Sequence, residues 1–134
     1  DTPMAPAGHP LATGRSLILF TPDGERSMNT YLGVAETLGP QDIDAGLMAA
    51  TDWLLLEGYL FDRPESQAAF AKAARAGEAA GGRAGITLSD PFCVERHREA
   101  FLALIRADMD LVVANEHELM ALYRTDDLEA ALGR

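Results

Sequence analysis

Lysine and cysteine are almost missing from this chain of 134 residues. Each occurs once, as Lys72 and Cys93. A single thiol excludes an intrachain disulfide and suits a reducing, cytoplasmic setting. Eleven Lys and Arg side chains stand against 21 Asp and Glu, a formal charge of −10. A field of that sign repels nucleic acid and anionic membranes, so neither is an expected partner. No apolar run approaches the roughly 18 residues of a membrane span. Asp1–Gly14 has neither a positively charged start nor an apolar stretch, so it is not a secretory signal. It also has no initiator methionine, as expected of a stretch inside a longer gene product or of a processed chain. The histidines, the lone cysteine and the carboxylates show no recognised metal-ligand spacing. There is no Walker-type phosphate loop and no nucleophile elbow.

What is present is ordinary for one soluble domain, with 48% hydrophobic and 24% charged residues. A chain of this length buries about two-thirds of its unfolded surface. Residues 1–14 are rich in Pro, Ala and Gly and form a loop. Arg15–Thr21 (RSLILFT) has a β pattern. Pro22-Asp23-Gly24 is a turn signal, and Glu25–Leu32 (ERSMNTYL) is a second, more polar strand. A hairpin over residues 15–33 follows.

From residue 34 to 134 the rhythm changes. Pro40 opens a helix with Asp42 and Asp44 in its first turns, and Ile43, Leu47 and Ala50 share one face. Trp53–Leu56 (WLLL) is a continuous apolar run, as expected of a strand covered on both sides. Asp62 and Glu65 have capping-box spacing around Pro64, so a helix runs from there to Gly77 or Ala80. Ala84–Leu88 is the next strand. Ser89 or Asp90 caps a helix to about Arg106. Leu111–Ala114 (LVVA) is another buried strand, Asn115 opens a further helix, and Thr125 caps a last one through Leu132. Strands alternating with helices predict an α/β fold with a parallel sheet and right-handed crossovers.

In such a sheet, ligands bind outside the carboxyl ends of the strands. Those ends here are Glu57-Gly58-Tyr59, Ser89-Asp90-Pro91-Phe92 and Asn115-Glu116-His117-Glu118. Parallel strands bring all three to one edge. Each group also has a plain structural use. Asn115 and Glu118 have N-cap and N3 spacing, Ser89 or Asp90 can cap, and Tyr59 and Phe61 can be core or rim aromatics. His97 and His117 lie on helices, are expected to face solvent, and are not expected as ligands.

Taken in order, these segments resemble the ribokinase/PfkB carbohydrate kinase family, in its adenosine-kinase-like branch. The carrying stretches are Thr13-Gly14, LILFTPDGERSMNTYLG, LLLEGYLFDRPES, ITLSDPF and VVANEHE. The last holds an N-x-x-E motif at Asn115 and Glu118. The resemblance runs from Thr13 to about Tyr123.

That resemblance implies a ribokinase-like core with the hairpin as a β lid over an acceptor. It implies an ATP-dependent kinase acting with Mg²⁺ on a sugar or nucleoside hydroxymethyl group. Met28 and Asn29 would face the acceptor, Tyr59 and Leu60 would line it, and Arg26 would approach the phosphates. Asn115 and Glu118 would organise the Mg²⁺ shell, Glu118 through water. The family's N-terminal glycine pair and acceptor-binding aspartate have no match in this sequence. Nor has its C-terminal D-T-x-G-A-G-D loop, which carries the catalytic base. The chain alone is therefore expected to be inactive. The alternative is a non-catalytic α/β module that binds a partner or forms a homodimer through the hairpin, whose open edges favour association. A phospho-acceptor receiver domain would need an acidic cluster after its first strand and a late lysine, which Lys72 does not supply.

Overall fold

The computed structural model describes residues 8–134. They form two compact units that divide between Leu38 and Gly39. Of the expected opening loop, residues 1–7 lie outside the described residues.

The first unit is an antiparallel hairpin of β1 (Thr13–Phe20) and β2 (Arg26–Gly33). Its turn closes where the sequence predicts it. Gly24 takes φ 89°, and the Thr21 N–H donates to Glu25 O at 2.9 Å. Register pairs Ile18 with Met28, Leu17 with Asn29 and Phe20 with Arg26. Opposed residues share a face and neighbours alternate. One face thus carries Ile18, Phe20, Arg26 and Met28. The other carries Leu17, Leu19, Asn29 and Tyr31. Met28 and Asn29 therefore point to opposite faces of the hairpin.

The second unit is α/β. Its parallel sheet has the order β3 (Trp53–Glu57), β4 (Arg83–Thr87), β5 (Leu111–Val113). Helices α2 (Pro64–Glu78) and α3 (Pro91–Asp108) form the crossovers. Helix α2 packs on β3, β4 and α3, so the two helices share one face, as right-handed crossovers in sequential order would place them. Leu56, Ala84 and Ile86 are buried there. On the opposite face Trp53, Leu55, Leu111 and Val113 are exposed, with Leu55 at 67%. The WLLL and LVVA runs are thus covered on one face only among the described residues, not on both.

The segment after Pro40 also differs from expectation. Pro40–Asp42 is a single 3₁₀ turn, and α1 is only Ala45–Ala49, capped by Asp44. Leu47 is exposed rather than buried. Lys72 holds the turn to α2, its ammonium donating to Pro40 O at 2.6 Å and Ile43 O at 3.2 Å. The remaining helices are α4 (Glu116–Tyr123) and α5 (Leu128–Leu132). Asp127, not Thr125, caps α5, its carboxylate accepting from the Glu129 and Ala130 amides. Among the described residues no helix is long and apolar enough to cross a membrane.

Candidate functional site

The edge where β3, β4 and β5 end is built from three short loops. Parallel pairing of β3 with β4 and of β4 with β5 turns all three carboxyl ends the same way. The Leu88 amide extends that pairing by donating to Val113 O at 3.0 Å.

At the first tip, Glu57 leads into a 3₁₀ turn, Gly58–Asp62. Tyr59 is exposed on this turn, Leu60 is half-buried, and Phe61 is buried in the core. Gly58 is required by space: a Cβ there would sit 2.5 Å from Thr87 O and 2.6 Å from Leu88 O. The turn is thus pressed directly onto the backbone of the second tip.

At the second tip, Ser89 has φ 68°. The left-handed region costs a non-glycine residue about 1–2 kcal/mol. Its hydroxyl accepts the Gly58 N–H at 3.0 Å and donates to the Glu57 carboxylate. Asp90 then caps α3, accepting the Cys93 N–H at 3.0 Å. Of the two expected capping candidates, Asp90 caps and Ser89 bridges. Cys93 is buried behind them with its thiol 3.4 Å from Gly58 O.

At the third tip, Asn115 and Glu118 form a full capping box. The Glu118 N–H donates to Asn115 Oδ1 at 2.9 Å, and the Asn115 N–H donates to Glu118 Oε2 at 3.0 Å. Asn115 Nδ2 reaches the other carboxylate oxygen at 2.8 Å. Glu118 is only 6% exposed. Both its oxygens are therefore already bonded, and what they offer outward is charge more than open coordination.

The three tips act on one another. The Tyr59 phenol is pushed up from its usual value, first by its partial burial and then by the carboxylates of Asp90, Glu57 and Glu118. Charges from every tip thus reach a single ring. Tyr59, Asp90, Asn115 and Glu118 lie along one strand edge, as the sequence pattern predicts. Arg26, Met28 and Asn29 lie on the hairpin, which is a separate unit.

Sequence reasoning missed two features. One is the Ser89 bridge. The other is a clamp on Asp62 at the end of the Tyr59 turn. Asp62 does not cap α2, whose N-cap is Arg63. Instead its carboxylate accepts two guanidinium nitrogens of Arg96, at 3.0 and 3.2 Å, and lies 2.7 Å from His97 Nε2. His97 is half-buried, edge-on to Phe61, and not turned to solvent as expected. Nothing local in the letters links these positions, which are 34 and 35 residues apart.

Among the described residues, no group of three or more His, Cys, Asp or Glu side chains is placed to hold a metal. Mg²⁺ does not require one. It keeps several waters and leans on one or two carboxylates plus phosphate oxygens. Glu118, buried and anionic at a strand tip, fits such a partial, water-separated role.

Residues 9–134 match the pfkB family of carbohydrate kinases. The chain belongs to that family. Among solved structures, it is similar to the adenosine kinase from Sinorhizobium meliloti, with 48% identity and a TM-score of 0.84. A protein from Rhizobium etli CFN 42 described as a probable sugar kinase matches equally, at 48% and 0.84. In both cases 90% of this chain is covered, and it spans 37% of the other chain's length. At 18% identity, an Escherichia coli protein described as a putative ribokinase II, in complex with ATP and Mg²⁺, shares the fold, with a TM-score of 0.78 over 92% of this chain and 41% of that one. No curated protein gives a significant match. Membership of the family accords with the α/β class of the second unit and with an antiparallel hairpin in the first.

Proposed function

We propose that this chain is the central part of an ATP-dependent kinase that phosphorylates a hydroxymethyl group of a sugar or nucleoside. One observation carries the reading: Tyr59, Asp90 and the Asn115–Glu118 pair gather at the carboxyl edge of a parallel sheet in a member of the pfkB family. Kinases of this kind work by positioning and by neutralising charge. The acceptor oxygen attacks the γ-phosphorus, the bond to the ADP oxygen breaks, and the hydroxyl proton leaves to a base. In this reading Tyr59 and Leu60 contact the acceptor. Asn115 and Glu118 would orient the phosphates, and Glu118 would hold Mg²⁺ through water; when bound, the ion would supply charge that offsets the phosphates. Of the hairpin residues, Arg26 is assigned to the transferring phosphate, and Met28 and Asn29 to the acceptor. A cytoplasmic setting, where ATP is abundant and thiols stay reduced, suits the single cysteine.

No stretch of this sequence resembles a glycine-rich loop carrying the base, so the 134 residues alone are expected to transfer no phosphate. The test is ADP release by the complete kinase with ATP and Mg²⁺ against a panel of nucleosides and unphosphorylated sugars. Activity on a member of the panel, lost in Asn115→Ala and reduced in Glu118→Gln, supports the reading. A folded, complete protein that turns over nothing in the panel refutes it.

A second reading is favoured by the hairpin. Leu17, Ile18, Leu19, Phe20, Met28 and Tyr31 are all exposed on it, spread over both faces. A two-stranded ribbon with apolar groups on both faces is suited to association with another copy. Light scattering that shows a strict monomer at high concentration counts against this homodimer.

A further inference from the structure

The backbone of Ser89 is the feature that kinase chemistry leaves unexplained. At the other positive-φ positions in the hairpin and before β4 the chain uses glycine: Gly24, Gly33 and Gly81. Among the described residues only one other non-glycine residue has positive φ, Arg124, and it ends a helix, where that conformation is common. Ser89 ends no helix. Residues held this way persist only where their surroundings over-determine them, and they gather at functional sites.

The surroundings of Ser89 do over-determine it. Its hydroxyl has one proton to give. That proton has two acceptors within reach, the Glu57 carboxylate and, at 3.3 Å, Thr87 O, while an oxygen lone pair takes the Gly58 N–H. The bridge spans the two tips where Gly58 has no room for a side chain. On one side of it stands Tyr59, and on the other Asp90. Glycine would fit this backbone better than serine, and what serine adds there is the hydroxyl.

We propose that Ser89 is a positioning residue for the acceptor: its hydroxyl fastens the tip of β3 to the tip of β4 and so fixes Tyr59 relative to Asp90. The acceptor half of this statement rests on the kinase reading, whereas the fastening does not.

Two variants separate the hydroxyl from the backbone. Ser89→Gly removes the hydroxyl and relieves the left-handed cost. Ser89→Ala removes the hydroxyl and keeps that cost. In the complete kinase, Ser89→Gly is expected to raise the acceptor KM about fivefold or more, because small misplacements of contact residues are expensive. Its KM for ATP should stay within about twofold and its thermal midpoint should not fall. Ser89→Ala should show the same KM change with a lower midpoint. If Ser89 is only structural, Ser89→Gly keeps the parent KM and Ser89→Ala alone suffers, which overturns the proposal. In the complete protein, amide hydrogen exchange provides a readout without activity. Gly58 should exchange about tenfold faster in Ser89→Gly while Leu56 and Ile86 are unchanged. An unchanged Gly58 rate shows that no fastening exists and overturns the proposal. An inactive complete protein sinks the kinase reading and the acceptor role together. An active one whose Ser89→Gly variant keeps its acceptor KM sinks the Ser89 proposal alone.

Discussion

The rings of Phe61 and Phe101 stack with centroids 4.1 Å apart and planes 24° from parallel. Phe61 belongs to the turn that presents Tyr59, and Phe101 lies midway along α3. The core thus reaches directly beneath the candidate site. Both rings are fully buried. Phe101→Ala is expected to cost about 3–5 kcal/mol through lost burial and the cavity left behind. That is a large share of a stability that is ordinarily about 5–15 kcal/mol. Urea unfolding checks it: the midpoint should fall steeply with little change in slope.

Gly58 offers the converse test, adding atoms where none fit. Gly58→Ala places a methyl 2.5 Å from Thr87 O, and backbone cannot swing aside as a side chain can. The two tips must separate. A cost of about 1–3 kcal/mol is expected for such overpacking. Thermal unfolding should show a midpoint lower by several degrees. A midpoint equal to the parent's would mean that the tips are not in contact.

Cys93 provides a chemical probe of the same packing. Burial pushes its thiol up to about 11, with Asp62 adding to the rise. Thiolate is the reactive form, so almost none is present at neutral pH. Native protein should resist iodoacetamide at pH 7.5, and denatured protein should label at the rate of a free cysteine. Fast labelling of the native state would show that the Gly58–Cys93 layer opens readily.

What the sequence makes legible follows from the range of each interaction. The strands and crossover helices are visible because apolar periodicity is local. The Asn115–Glu118 box is visible because its partners are three residues apart. The edge itself follows from chain direction alone. Asp62 shows where local reading stops. Its letters suit a cap on α2, but Arg96 and His97 compete for the same carboxylate from far along the chain, and two charged or ring donors outweigh one amide. The bond from Ser89 to Glu57 spans 32 residues and has no local signature either. The WLLL run misleads for another reason: apolar letters show what a strand can bury, not what lies against each face.

The Asp62 clamp gives a prediction with a definite sign in pH. Burial alone would raise the Asp62 carboxyl, but the hydrogen bonds from Arg96 and His97 outweigh it and hold the group below its usual value. The usual aspartate value is about 3.9. A carboxyl depressed on folding binds fewer protons in the native state, so its stabilisation is complete above that value and is lost as pH falls through the lower, native one. Asp62→Asn should therefore be less stable than the parent at pH 7, and the gap should close below about pH 3.9 as the parent's own carboxylate protonates. Asp62 is substantially exposed, so the expected gap is small, about 0.2–1 kcal/mol, and should shrink with salt. Thermal midpoints of both proteins across pH 3 to 7 measure it. A gap of equal size at both ends of that range would show that the carboxylate's charge is not what holds the Tyr59 turn to α3.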